Sequence, residues 1–251
     1  MKAIQFRTII LLTCAVIFQS SVILAATERD AIFHQGNEAY SRGDFQAANE
    51  TFIQLTESAG FSPAVLYNMA NSYAQSGETG KAILAYERAL RLSPSDPDIR
   101  GNLELVRKER GLFPKEPSRT EAFFSLLTIR QWSLLALCSL ATLALFQLIG
   151  LRYRFTRQTT VTVVTLSFFA LSLGSIGTAF EYRLFNPSVV IAKDARLLVS
   201  PFSSATSIGA VQEGRLVYPE KHHHDFIYVT DEIDRKGWIP AASVEAVVTP
   251  E

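Results

Sequence analysis

The rhythm of apolar and polar positions changes twice along the chain, dividing it into three parts. In the first part whole stretches return after 34 residues: Gly36 as Ala70, Asn37 as Asn71, Gly43 as Gly77, Asp44 as Glu78, Ala48 as Ala82 and Phe52 as Tyr86. Within it Leu66, Met69, Ala70 and Tyr73 fall on one helical face, as do Ile99, Leu103 and Val106 further on. The second part has two runs without a charge, Gln131 to Leu151 and Gln158 to Phe180. At about 1.5 Å rise per residue each reaches about 30 Å, the thickness of a bilayer's hydrocarbon core. From about Ser188 the period becomes two. Short apolar runs at Val189–Ala192, Arg196–Val199, Arg215–Tyr218, Phe226–Val229 and Gly237–Ile239 are bounded by Pro, Gly, Ser or Asp, which predicts short strands.

The 34-residue period, with small residues where helices approach and aromatics between pairs, resembles the tetratricopeptide repeat (TPR). Pro63 to Asp96 fits that pattern most fully. Two repeats are complete. A further helix, with Asp96 as N-cap, Pro97 at its first position and Gly111 as its stop, closes the array. The expected fold is therefore an all-α TPR solenoid with a capping helix over 27–111, a linker at 112–130 and a two-helix transmembrane hairpin. Its spans are 131–151 and 159–180, and a small all-β SH3-like barrel follows at 188–248.

Charge orients this arrangement. Residues 1–26 carry Lys2 and Arg7 before an apolar run and end in Ala25-Ala26, the layout of a signal peptide, although the run is long enough for an uncleaved anchor. The bend at 152–158 holds Arg152, Arg154 and Arg157 and no acid. The positive-inside rule makes it a cytoplasmic loop. Both cues export the repeats and the strand-rich segment together, which predicts a multi-pass protein of the bacterial inner membrane with both folded parts in the periplasm. The whole chain of 251 residues is neutral, so the cations kept inside leave an acidic excess outside. Small residues at Ala170, Gly174, Gly177 and Ala179 suit close contact between the two spans.

Candidate chemistry is sparse. The two cysteines are Cys14 and Cys138, both in apolar segments, so no disulfide or thiol site is expected. Neither exported part is basic, which excludes a nucleic-acid footprint. Lys221-His222-His223-His224-Asp225 reads as a solvated loop, because adjacent strand residues point to opposite faces and do not converge on a metal. Asp231, Glu232 and Asp234 read as an exposed turn. No nucleophile is paired with a base and no phosphate loop occurs, so neither an enzyme nor a cofactor is predicted. The partner-binding candidates lie on the repeats. Asn37 and Asn71 occupy equivalent positions on the first helix of each pair, with Tyr40, Tyr67 and Gln75 beside them. They could hold a partner's backbone or merely bond adjacent helices to one another.

Gly237-Trp238-Ile239-Pro240 followed by Ala241-Ala242-Ser243-Val244 resembles the end of a bacterial SH3-like domain, with Trp238 and Pro240 on its ligand surface. The order of parts, together with Leu66-Tyr67-Asn68-Met69-Ala70-Asn71-Ser72-Tyr73 and Gly80-Lys81-Ala82-Ile83-Leu84-Ala85-Tyr86-Glu87-Arg88-Ala89-Leu90, resembles the E-type (BatE) proteins of the Bacteroides aerotolerance (Bat) family. That resemblance implies a non-catalytic adaptor in an envelope complex, with von Willebrand A domain proteins and a MoxR-type ATPase as companions. SH3-like domains of this kind also bind peptidoglycan, so a wall-binding or wall-sensing protein is the alternative.

Overall fold

The computed structural model describes residues 28–113, 116 and 118–248. The expected leader at 1–26 lies outside the described residues. Residues 28–41 are helical (α1) and are followed by α2 (Phe45–Ala59), α3 (Pro63–Gln75), α4 (Thr79–Leu92) and α5 (Pro97–Glu109). The 34-residue echo is an echo of helix stops and interhelical packing, and in part of caps. Gly43 and Gly77 take φ of 80° and 78°, the left-handed region open to glycine, and so end α1 and α3. Asp44 then caps α2 by accepting from the Ala47 N–H, and Ser62 and Asp96 cap α3 and α5 ahead of Pro63 and Pro97. Gly36 faces the Phe52 ring so closely that a Cβ would come within 2.6 Å of it. Phe52, Ala70 and Tyr86 are all buried where successive helices meet.

Part of the expected linker is ordered as a short helix, α6 (Arg119–Phe124), and two long helices follow, α7 (Ile129–Gly150) and α8 (Arg157–Phe185). Ile129–Gly150 and Arg157–Tyr182 are long and apolar enough to cross a membrane, and little of either is buried within the protein. They pack on each other through small residues. Gly174 lies against the Trp132 carbonyl and the Ala136 backbone, Gly177 against the Trp132 ring, and Ser139 donates to the Ser167 carbonyl at 2.5 Å. A side chain at either glycine would force the helices apart.

The remainder is a seven-stranded sheet: β1 (Ser188–Val190), β2 (Arg196–Leu198), β3 (Ser207–Ala210), β4 (Leu216–His223), β5 (Phe226–Asp231), β6 (Lys236–Pro240) and β7 (Val244–Ala246). The order is β3-β2-β6-β5-β4-β1-β7 and each pairing is antiparallel. A 3₁₀ turn at Ala241–Ser243 carries β6 into β7. This corrects the expectation of a closed barrel, because β3 and β7 are edges and the ladder does not run full circle. Each edge is instead met by an arginine. Arg235 donates to the Ala210 carbonyl of β3, and Arg88 of α4 donates to the Ala246 carbonyl of β7. Covered carbonyls are poor templates for a foreign strand.

The sheet is not a separate body. Val189, Leu216 and Val247 belong to the same buried cluster as Phe52, Leu66, Ile83, Tyr86 and Leu103 of the helices. The polar ends of the helices are completed from the sheet side. Glu78 provides no side-chain cap for α4, and Glu213 accepts from the Gly80 N–H at 2.8 Å in its place. Its neighbour Gln212 donates to the Arg110 carbonyl at the end of α5. Arg88 also donates through Nε to the Val247 carbonyl. The Val247 N–H donates to the Pro187 carbonyl, and Pro187 has no N–H with which to return the bond.

The acidic turn is only partly solvated: Asp234 is exposed as expected, whereas Asp231 and Glu232 are not. Asp231 is buried and accepts from the Ile233 and Arg235 N–H groups and from Arg235 Nε, which closes the turn. Glu232 reaches back to α5, where Arg107 lies between it and Glu87 at 3.4 and 3.3 Å. Burial pushes the Glu87 carboxyl above its ordinary range, with Arg107 and Arg91 pulling the other way and Glu232 adding to the rise. Burial also raises the Tyr218 hydroxyl, to about 12.

Candidate partner-binding groove

The first helices of the two pairs, α1 and α3, stand side by side with α5, and their polar residues recur at the helix-pair period. Asn68 Nδ2 donates to Asn37 Oδ1 at 2.7 Å, and Asn102 Nδ2 donates to Asn71 Oδ1 at 3.0 Å. The two bonds are one bond repeated, since each member of the second pair lies 34 residues beyond its counterpart. Their environments differ. Asn71 Oδ1 also accepts from the Tyr86 hydroxyl, and Asn102 donates a second time to the Tyr67 hydroxyl at 2.9 Å. Burial drives the Tyr86 hydroxyl far above its usual range, so it remains a donor.

Asn37, Tyr40, Ser41, Asn68 and Asn71 line an open cleft of about 210 Å³. The sequence candidates Asn37, Tyr40 and Asn71 therefore meet at one site. Tyr67 is tied to Asn102 and packs edge-to-face on Tyr86, with ring centres 6.2 Å apart, and is not among the cleft-lining residues. Gln75, the last residue of α3, is exposed and is also not among them. Sequence reasoning missed Asn68 and Asn102. Their 34-residue separation was a readable signal, but neither side chain had a visible partner until the helices were packed. Among the described residues, Asn37 Nδ2 and Asn68 Oδ1 carry no bond within the protein, so the cleft offers an amide donor and an amide acceptor together. Among the same residues no Lys or Arg lines it.

The second set of candidates lies on the outer face of β6. Trp238 packs edge-to-face on Tyr228 at 5.3 Å and lies 6.1 Å from His223. Phe226 pairs with Pro240, and Lys221 sits over the Tyr228 ring. His222 and His223 are neighbours in β4 and face opposite ways. Among the described residues no group of three or more His, Cys, Asp or Glu side chains could hold a metal ion.

The tetratricopeptide repeat family matches residues 33–97, the span from α1 to the start of α5, so this part of the chain is a TPR array, a class that presents surfaces to other proteins. Among curated proteins the chain is similar to the Photosystem I assembly protein Ycf3 of a Prochlorococcus marinus strain. The identity is 32% over 93 residues, covering 35% of this chain and 54% of that protein. The Ycf3 protein of Synechococcus sp. (strain WH7803) is 29% identical over 99 residues, covering 38% and 57%. The chain thus spans about half the length of the curated relatives it matches.

Proposed function

We propose that this protein is a non-catalytic, membrane-anchored scaffold whose TPR groove holds an extended segment of a partner protein. The observation that carries the reading is an asparagine pair repeated on successive helices, of which Asn37, Asn68 and Asn71 line an open, uncharged cleft. Successive first helices lie about 10 Å apart, the length of about three residues of extended chain. A partner's backbone N–H and C=O groups could therefore meet the amides of adjacent repeats in step. The relatives are named for assembling a photosystem; what carries over here is only the holding of a partner polypeptide.

The inner-membrane setting belongs to the same proposal. Repeats and sheet share one core, so they must lie on one side of any membrane that α7 and α8 cross, with the arginine-bearing bend on the other. That is the arrangement charge alone predicts. The SH3-like character of the sheet and membership of a Bat-type aerotolerance complex, with von Willebrand A domain and MoxR-type companions, rest on the sequence resemblance. A photo-crosslinker in place of Tyr40 in intact cells should capture a discrete polypeptide, and Asn37→Ala with Asn68→Ala should abolish the adduct while the protein stays folded. Equal capture from Gln46 on α2 would sink the groove assignment.

The alternative is peptidoglycan binding through the outer face of β5 and β6, favoured by the Trp238–Tyr228–His223 aromatic cluster. Co-sedimentation of the whole detergent-solubilised protein with purified cell wall, lost on Trp238→Ala, would favour it.

A further inference from the structure

The chain enters the apolar hairpin through a rigid elbow. Ser118 and Glu121 form a reciprocal cap at the start of α6, and Thr128 with Gln131 forms another at the start of α7. Two amide groups at each helix start are thereby satisfied without water. The Trp132 indole N–H donates to the Phe124 carbonyl at 2.9 Å, and Phe124 stacks on Phe180 of α8 at 4.7 Å. The short helix is locked across the mouth of the hairpin.

What the elbow turns outward is apolar. Phe123 is 47% exposed and Leu126 72%, and Tyr182 on α8 at the same end is 70% exposed. Phe123 also packs on Trp132 of α7, with ring centres 6.2 Å apart, and Leu134, Leu137 and Ile176 on the two long helices are exposed as well. Arg119 and Arg130 flank them, both exposed. The folded head begins immediately beyond: β1 starts at Ser188, just after α8 ends at Phe185, and Asn186 accepts from the Val248 N–H. An apolar elbow with basic flanks thus sits where an aqueous body meets a bilayer-length apolar pair.

We infer that Ser118–Thr128 is an interfacial anchor lying in the plane of the membrane, with Phe123, Leu126 and Tyr182 seated at the boundary between lipid headgroups and acyl chains of the leaflet below the head. The occupant of this surface is a phospholipid leaflet, because the elbow packs directly on the bilayer-length helices through Phe124, Trp132 and Phe180, and aromatic and leucine side chains beside arginine are suited to that layer. The inference rests on the membrane reading above, and its consequence is that the head is held at a set height and tilt instead of swinging on a tether.

Nitroxide labels on full-length protein in phospholipid nanodiscs test it, with Cys14 and Cys138 replaced by alanine and single cysteines at 123, 126, 145 or 104. Position 145 should be reached by oxygen and position 104 by a water-soluble nickel chelate. Positions 123 and 126 should report a depth within about 5–10 Å of the headgroups. Chelate access at 126 equal to that at 104, with 145 still deep, would overturn the elbow and leave the hairpin standing. Spin–spin broadening at 126 with access to neither reagent would assign the surface to a second copy and overturn it as well. Chelate access at 145 would overturn the membrane reading itself.

Discussion

The sheet meets the repeats through charged and polar groups around a shared apolar centre, whereas α7 meets α8 through glycine, serine and one tryptophan. The first contact forms in water, where burying apolar area drives association and polar groups need partners as they are covered. Arg88, Glu213 and Gln212 supply them. The second contact has no such drive if lipid surrounds it, and close backbone approach at Gly174 and Gly177 takes its place. One chain uses both solutions, and the second is the one that suits a helix pair in lipid.

Substitutions that touch one interface should spare the other. The largest effect is expected from Gly80→Val, because a side chain there would enter the Val190 carbonyl and the Ile191 backbone. Chemical denaturation should show the head weakened by about 3 kcal/mol. A cysteine pair at 133 and 178, whose native hydroxyls lie 3.3 Å apart, should still crosslink. Gly177→Leu should do the reverse, costing the helix pair about 2 kcal/mol through its clash with Trp132. That crosslink should fall while the head's denaturation midpoint stays put; a shift in the midpoint would mean the two interfaces are coupled. Arg88→Ala should cost the head about 2 kcal/mol by stranding the Ala246 and Val247 carbonyls. Arg88→Lys should recover only part of this, since an ammonium cannot serve both carbonyls and Glu245 as a planar fork does.

The smallest effect concerns pH. Glu87 has its carboxyl raised by burial, so the folded state keeps a proton that the unfolded chain has released above its ordinary value of 4.5. Stability from this group is therefore greatest at low pH and falls as pH rises through the raised value. Denaturation midpoints followed upward in pH from the ordinary value of 4.5 should fall with a slope that Glu87→Gln flattens. An unchanged slope would assign the dependence elsewhere.

Much of the fold was legible because its signals are local. Gly43, Gly77 and Asp96-Pro97 act within a few residues of themselves, and the 34-residue echo repeats those local signals. The strand β3 escaped notice because Ser207–Ala210 is largely exposed at an edge and lacks alternation. Asp231 and Glu232 of the acidic turn depart from expectation for a different cause. Asp231 and Glu232 look like solvent residues until Arg235 and Arg107 are brought to them, and Arg107 comes from a helix more than 120 residues earlier. Of the groove candidates, Asn37 and Asn71 could be paired by period, but which asparagine bonds which depends on how α1, α3 and α5 are set beside one another.

The amino-acid sequence by itself determined the helix pairs, the two membrane-length runs, the arginine bend and the strand-rich end, since each follows from spacing, caps or charge within a short window. Only the tertiary structure decided that the sheet lies open with arginines at its edges, that it completes the ends of α4 and α5, and that an asparagine pair is repeated between successive helices. Those outcomes depend on contacts between residues far apart in the chain, and no local pattern encodes the partner of a buried charge or an unpaired carbonyl.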